Sequence, residues 1–160
     1  LRLHELTGQT VHLCVKVGDH ATVIDGLEGG GPVLVRAKLG MPIPLHASPA
    51  ARAIFASLPD AEIDDFLRRR APLQRFTRHT ITTATALRTK LRSVAEDGYA
   101  WAIEEFADGM NSVAAAVRAQ DGHVVAALHV YGPASRFPGD RSRTELGELV
   151  RRTADRIRLD

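Results

Sequence analysis

Several side chains in this sequence are of types that do chemistry, and their spacing decides which kind. Cys14 lies two residues from His12 in an alternating apolar run, the thiol-and-base pairing that a cysteine nucleophile needs. A lone cysteine in such a run more often packs in a core. Glu104 and Glu105 are adjacent, and on a strand adjacent side chains point to opposite faces, so they make no general acid–base pair. His12, His46, His123 and His129 lack the short paired spacings of metal ligands, and no metal is expected. Ser48 lacks the Gly-x-Ser-x-Gly surroundings of a nucleophile elbow. The glycine run Gly29 to Gly31 is followed by no Lys-Ser/Thr and opens no helix, so it reads as a hairpin loop and no cofactor is expected. The chemistry that remains is binding, and the expectation is a protein that is not an enzyme.

The binding reading rests on a hairpin. Asn111 to Ala119 and His123 to Gly132 are alternating runs around Asp121-Gly122, a dipeptide that suits a two-residue type I′ turn. Strict pairing then sets Gln120 opposite His123, Ala116 opposite Ala127, Ala114 opposite His129 and Ser112 opposite Tyr131. These residues share one face, a floor of alanines flanked by three groups that hydrogen-bond: Ser112, His129 and Tyr131. An apolar floor with a few convergent polar groups is how small-molecule sites are built. The other face, with Val113, Val117, Val124, Leu128 and Val130, reads as ordinary core. On these residues alone a second reading is equally open, in which the alanine face simply lies close against a helix.

Ser48-Pro49 supplies the helix start that such a site could use. Ser48 fits an N-cap and Pro49 the first helical position. Free N–H groups and the positive end of the dipole there favour an anion. If that terminus faces the alanine floor, the ligand is an organic acid.

The elements that must hold these residues are legible as patterns. Strands are expected over Gln9 to Val17, Ala21 to Glu28, Val33 to Lys38 and Tyr99 to Phe106, besides the hairpin. Helices are expected from Pro49, with Ile54 and Phe55 buried, from Asp60 through Ile63, Phe66 and Leu67, and through Leu87, Leu91 and Val94 to a cap at Gly98. A last helix follows Asp140, burying Leu146, Leu149, Val150 and Ile157. Gly40, Pro42 and Pro44 read as an irregular lead-in. The order is three strands, three helices, three strands and a helix. It predicts an α+β fold, an antiparallel sheet of about six strands with helices packed outside it.

Composition narrows the class. The chain has 160 residues, 44% of them hydrophobic, enough for one sizeable core and short for two domains. A net charge of +2 is spread along the chain, and the basic stretches at Arg68 to Arg70 and Arg151 to Arg158 are balanced by acids, which leaves no nucleic-acid footprint. No apolar run has the length of a membrane span, and no membrane partner is expected. One cysteine excludes an internal disulfide and suits a reducing compartment, the cytoplasm. The chain opens on Leu1 rather than Met, which suggests part of a longer protein.

Several separated motifs agree in register with one family. Gly40-Met41-Pro42-Ile43-Pro44-Leu45-His46-Ala47-Ser48, Arg75-Phe76-Thr77, Gly98-Tyr99, Glu104-Glu105 with Gly109, and Gly132-Pro133-Ala134-Ser135-Arg136 together resemble the C-terminal effector-binding domain of the IclR (isocitrate lyase regulator) family over nearly the whole chain. The resemblance implies a GAF-like fold, dimers or dimers of dimers, and a winged helix-turn-helix domain, absent from residues 1–160, through which alone operator DNA is bound. It implies effectors that are small organic or aromatic acids. Carried across, the pocket positions are Val35, the helix start at Ser48, Pro49 and Ala50, and Ala102, Met110, Ser112, His129 and Tyr131. The sequence departs from the family at Ala51-Arg52, where Gly-Lys is frequent, at Ala102, where an acid is frequent, and at His129 and Tyr131, which are larger than usual. The expected function is ligand sensing and oligomerisation for a bacterial transcriptional regulator. The alternatives are a small hydrolase-like enzyme using His129 and a ligand-free dimerisation module.

Overall fold

The alternation at Val11, Leu13 and Val15 becomes a strand because every second side chain finds one of two apolar layers. The computed structural model describes residues 2–30 and 38–157. Among them the elements run α1 (Arg2–Thr7), β1 (Thr10–Val17), β2 (His20–Leu27), β3 (Pro42–Pro44), α2 (Pro49–Phe55), α3 (Asp60–Arg70), α4 (Ala84–Asp97), β4 (Ala100–Ile103), β5 (Met110–Arg118), β6 (Val124–Pro133) and α5 (Arg143–Ala154). The strands form one six-stranded sheet in the order β3-β2-β1-β6-β5-β4, antiparallel throughout. The fold is α+β, as expected.

Each face of the sheet has its own core. Val113, Val117, Leu128 and Val130 meet Leu146, Val150 and Ala154 of α5 and Leu3 of α1. On the other face Cys14, Ala114 and Ala127 meet Ala50, Ala51 and Ile54 of α2, and α3 and α4 cover α2 with Ile63, Phe66, Leu67, Leu87 and Leu91. Every residue of α2 is buried, because it lies between the sheet and the outer helices. The fully buried Ala50, Ala51, Ala114 and Ala127 let backbone approach backbone. The close-packing reading therefore holds for this part of the alanine floor.

Ser48 and Gly98 cap helices as expected, while the caps at Thr83 and Ser142 were not anticipated. Ser48 accepts from Ala50 N at 3.2 Å, Thr83 caps α4, Gly98 ends it in the left-handed region, and Ser142 with Glu145 forms a capping box on α5. Each such cap contributes about 1 kcal/mol.

Several expectations need correction. The helix α1 was not anticipated, and β3 lies in the segment read as irregular. The strand expected over Val33 to Lys38 lies, apart from Lys38, outside the described residues, and Lys38 is in no strand. Strand β4 stops at Ile103, because Glu104 takes φ 51 and turns the chain. The hairpin loop is not type I′, which needs positive φ at both central residues. Gly122 N donates to Ala119 O at 3.0 Å and Ala119 N to His123 O at 2.9 Å, so the turn centres on Gln120-Asp121, with Gly122 following at φ 89. This is a type I turn closed by a left-handed glycine, and it brings a bulge. The bulge sets Arg118 opposite Val124 rather than Gln120 opposite His123. It also turns Val124 onto the α2 side of the sheet. Beyond it the expected register is intact, with Ala116 opposite Ala127, Ala114 opposite His129 and Ser112 opposite Tyr131.

Candidate functional site

Past the alanines, where α2 begins, the packing opens into a cavity. Its walls include six of the anticipated residues: Ser48, Pro49, Met110, Ser112, His129 and Tyr131. Among the described residues, Met41, Ile43, Ala47 and Phe106 also line it; these were not anticipated. The alternation of Met41 and Ile43 with Pro42 and Pro44 was the available signal, since it gives the segment an inner and an outer side. Ala50 and Ala102 are buried behind the lining: Ala50 is held by the Ser48 cap, and Ala102 pairs with Ser112 across β4 and β5. Val35 lies outside the described residues. The cavity offers about 30 Å³ to the centre of a water-sized sphere, room for about two waters. A larger guest needs the walls to move, and Met41 and Met110 are the side chains best suited to repack.

His129 dominates the polar side. It is 6% exposed, yet neither ring nitrogen has a hydrogen-bond partner among the described residues. Burial, and to a lesser degree the nearby His12, push its pKa down to about 3, so the ring is neutral at pH 7. A neutral imidazole carries one donor and one acceptor, and leaving both unused in a core is expensive. Tyr131 stands with its ring centroid 5.4 Å from that of His129. His12 sits directly across the β1–β6 pairing from His129, with ring centroids 6.5 Å apart. Burial lowers the His12 pKa, and Glu28, 3.6 Å from Nε2, partly opposes it. Gly26 lies opposite His12, where a Cβ would overlap the imidazole.

Behind the cavity lies a buried ion pair that the sequence reading did not foresee. Arg52 of α2 is fully buried. Its Nη1 donates to Trp101 O at 3.2 Å and to Glu105 Oε1 at 3.3 Å, and its Nη2 donates to His46 O and Glu105 Oε2. The Glu105 carbonyl in turn accepts from Thr80 Oγ1 at 2.7 Å. Arg52 therefore ties three segments together: α2, the stretch leading into Ala47 and Ser48, and the turn that carries Phe106. The signal was available in α2 itself, an apolar helix with one charge; a helix buried all round must pair any charge it holds.

Other candidates are spoken for. Cys14 is fully buried, and desolvation pushes its thiol up to about 12, which makes it a packing residue rather than a nucleophile. Glu104 lies beyond β4 and its Oε1 accepts from Gly109 N at 2.7 Å, while Glu105 serves Arg52. The adjacent acids are thus not on a strand, and they still form no catalytic pair. His46 Nε2 is bonded to Gln74 O at 2.7 Å. Among the described residues no group of three His, Cys, Asp or Glu side chains is placed to hold a metal, and no helix is long and apolar enough to cross a membrane.

Comparison with known proteins agrees with this architecture. A family model described as "Bacterial transcriptional regulator IclR C-terminal" matches residues 1–159. The HTH-type transcriptional repressor AllR of Klebsiella pneumoniae is 40% identical over 156 residues, which cover 98% of this chain and 57% of that protein. AllR of Escherichia coli K12 is 38% identical over 153 residues, 96% of this chain and 56% of that protein. The chain thus spans little more than half the length of these relatives. Among solved structures, the transcriptional regulator YaiJ superposes with a TM-score of 0.88 at 28% identity, covering 96% of this chain and 86% of that one. The Thermotoga maritima IclR gives 0.86 at 28% identity, covering 96% and 62%.

Proposed function

The chain belongs to the IclR family of bacterial transcriptional regulators, whose C-terminal domains bind effectors, and from that premise we propose that its cavity is the sensing site for a small polar molecule. The observation that carries the proposal is His129: a buried neutral imidazole facing a cavity, with both nitrogens unpartnered among the described residues, offers a guest a donor and an acceptor. Ser112, on the same face, adds a hydroxyl. A guest that binds one arrangement of the walls more tightly than another shifts the population toward it. The arrangement of subunits then carries the signal to a winged helix-turn-helix domain outside this chain, which contacts operator DNA.

Finer statements are part of the same proposal. Dimers or tetramers are supported by apolar side chains left on the surface, Val17, Ile24 and Leu27 among them. A cytoplasmic location is supported by the proposed action on operator DNA. A non-enzymatic role is supported by relatives named as repressors. An organic-acid effector is supported by the family resemblance and by the Ser48 helix start. The test is a thermal-shift screen of small polar compounds on the wild-type chain and on Ser112→Trp, which fills the cavity. A ligand at a hundred times its Kd adds about 2.7 kcal/mol. Shifts present in wild type and lost in Ser112→Trp are expected. Equal shifts in both proteins refute the site.

A further inference from the structure

A second recess stands back to back with the cavity, on the other side of β3. Side chains alternate along residues 41–44, so Met41 and Ile43 line the cavity while Pro42 and Pro44 line the recess. The helix α3 contributes Phe66 and Arg70 to it, and the stretch after α3 contributes Gln74 and Phe76. The recess offers about 350 Å³ to the centre of a water-sized sphere, against about 30 Å³ in the cavity, which brings it into the size range of small-molecule sites. We propose that this groove is a second ligand site, for a small aromatic carboxylate, and that filling it moves the wall it shares with the cavity.

The end of α3 sets the charge of the guest. Arg68, Arg69 and Arg70 share two carboxylates, Asp65 and Asp19. Asp19 takes the full fork of Arg69, Nη1 to Oδ2 at 2.7 Å and Nη2 to Oδ1 at 3.0 Å, and Arg70 Nε as well at 3.1 Å. Asp19 is the one acid lining the groove among the described residues. Those guanidiniums, Arg69 first, hold its carboxyl below the usual range and more than neutralise it. Arg70 is the surplus cation, and among the described residues its Nη1 makes no hydrogen bond, which leaves it for an anion. The walls set the body of the guest. Pro42, Pro44, Phe66 and Phe76 present apolar ring surfaces, which suit a planar ring. An extended peptide is a poorer guest, because β3 has two prolines in three residues and proline offers no N–H to a pairing strand.

Two routes lead from groove to cavity. The first is β3, a single stretch of chain with one side on each. The second is a run of rings: His46 stacks on Phe76 with centroids 5.6 Å apart, and Phe76 meets Phe106, a cavity residue, at 5.2 Å. His46 and Phe76 both line the groove, and His46 Nε2 donates to Gln74 O at 2.7 Å. Close-packed side chains transmit a displacement rather than absorb it.

The chain has two methionines, Met41 and Met110, and both line the cavity, so NMR of isotope-labelled methionine methyl groups reads the shared wall from inside. Phenylacetate and phenylacetamide are titrated into the 160-residue chain, with affinities from calorimetry. Phenylacetate is expected to bind about fivefold more tightly than the amide, the scale of one exposed ion pair, and the difference should shrink as salt rises. Arg70→Gln should abolish the difference. Gln74→Trp, at an exposed groove position, should cost both ligands about tenfold or more by filling the groove. Ser112→Trp, which fills the cavity, should keep saturable binding and the preference for the acid. At saturation of the wild type the Met41 methyl signal should move, and further than that of Met110 on β5. Binding lost in Ser112→Trp and kept in Gln74→Trp, with both methyl signals moving alike, places the ligand in the cavity; it overturns the groove and leaves the sensor reading standing. Failure of the wild type to bind phenylacetate saturably at millimolar concentration also overturns the groove. Equal affinity for acid and amide, or an acid preference that survives Arg70→Gln, overturns the role of Arg70, and a motionless Met41 at saturation overturns the shared wall.

Discussion

Removing Glu105 tests whether the Arg52 ion pair holds the site together. In Glu105→Ala the guanidinium keeps two backbone carbonyls, His46 O and Trp101 O, and loses the carboxylate that pairs it inside a core where it is fully buried. Breaking one side of a buried pair costs about 3–5 kcal/mol. At about 2–4 °C per kcal/mol for a chain of this size, the melting temperature should fall by roughly 6–20 °C. Glu105→Gln keeps acceptor geometry without charge and should lose about 2 kcal/mol. The double variant Arg52→Met/Glu105→Leu removes both charges and keeps volume, so it should recover to within about 1–2 kcal/mol of wild type. Urea unfolding followed by circular dichroism at pH 7 gives all the values, and the component singles Arg52→Met and Glu105→Leu close a cycle with the double. A Glu105→Ala loss below 1 kcal/mol, or a double variant as unstable as the sum of its singles, refutes the assignment.

Other outcomes follow from the same geometry. His129 has its folded pKa at about 3 against 6.5 when free. Between those values the unfolded chain binds a proton that the native ring refuses, so stability falls as pH drops below 6.5, by up to about 1.4 kcal/mol per pH unit from this group. Urea midpoints for His129→Leu should therefore decline less steeply from pH 6.5 to 4.5, and a curve parallel to wild type contradicts the burial argument. Cys14, pushed up to about 12, should react with iodoacetamide at pH 8 about a thousandfold more slowly than a free thiol until urea unfolds the chain; fast labelling of the native protein counts against it. Gly147 sits inside α5, where Ala normally gains about 1 kcal/mol, but a Cβ there runs into the Tyr99 ring. Gly147→Ala should lose roughly 1–3 kcal/mol, Tyr99→Leu should remove most of that loss, and a stabilised single variant refutes the contact.

What was legible in the sequence was local and periodic. Ser48-Pro49, the Leu87, Leu91 and Val94 spacing with Gly98, and the pairing of Ser112 with Tyr131 all depend on neighbours within one element or one hairpin, and the structure has each of them. The turn itself was misread because Asp-Gly suits both a type I′ turn and the end of a type I turn with a left-handed glycine, and only the backbone angles separate them. The register survived the misreading because the bulge absorbs the extra residue before Ala126. A short strand such as β3, three residues between prolines, carries too little pattern to be seen.

The Arg52 pair was illegible for a different reason. Its partners lie 6, 49 and 53 residues away, and read one at a time each looked like something else: Glu105 like half of a carboxylate doublet, Arg52 like a family variation. Only the burial of all of α2 forces them together. That matters for the cavity, because Ala47 and Ser48 follow His46 directly and Phe106 follows Glu105. Two walls of the cavity therefore hang from one guanidinium. A guest too large for about two waters of space has to displace a wall, and displacing either one loads the same ion pair. The residue that the sequence left without a role is thus the one that would couple a guest at the proposed site to the helix behind it.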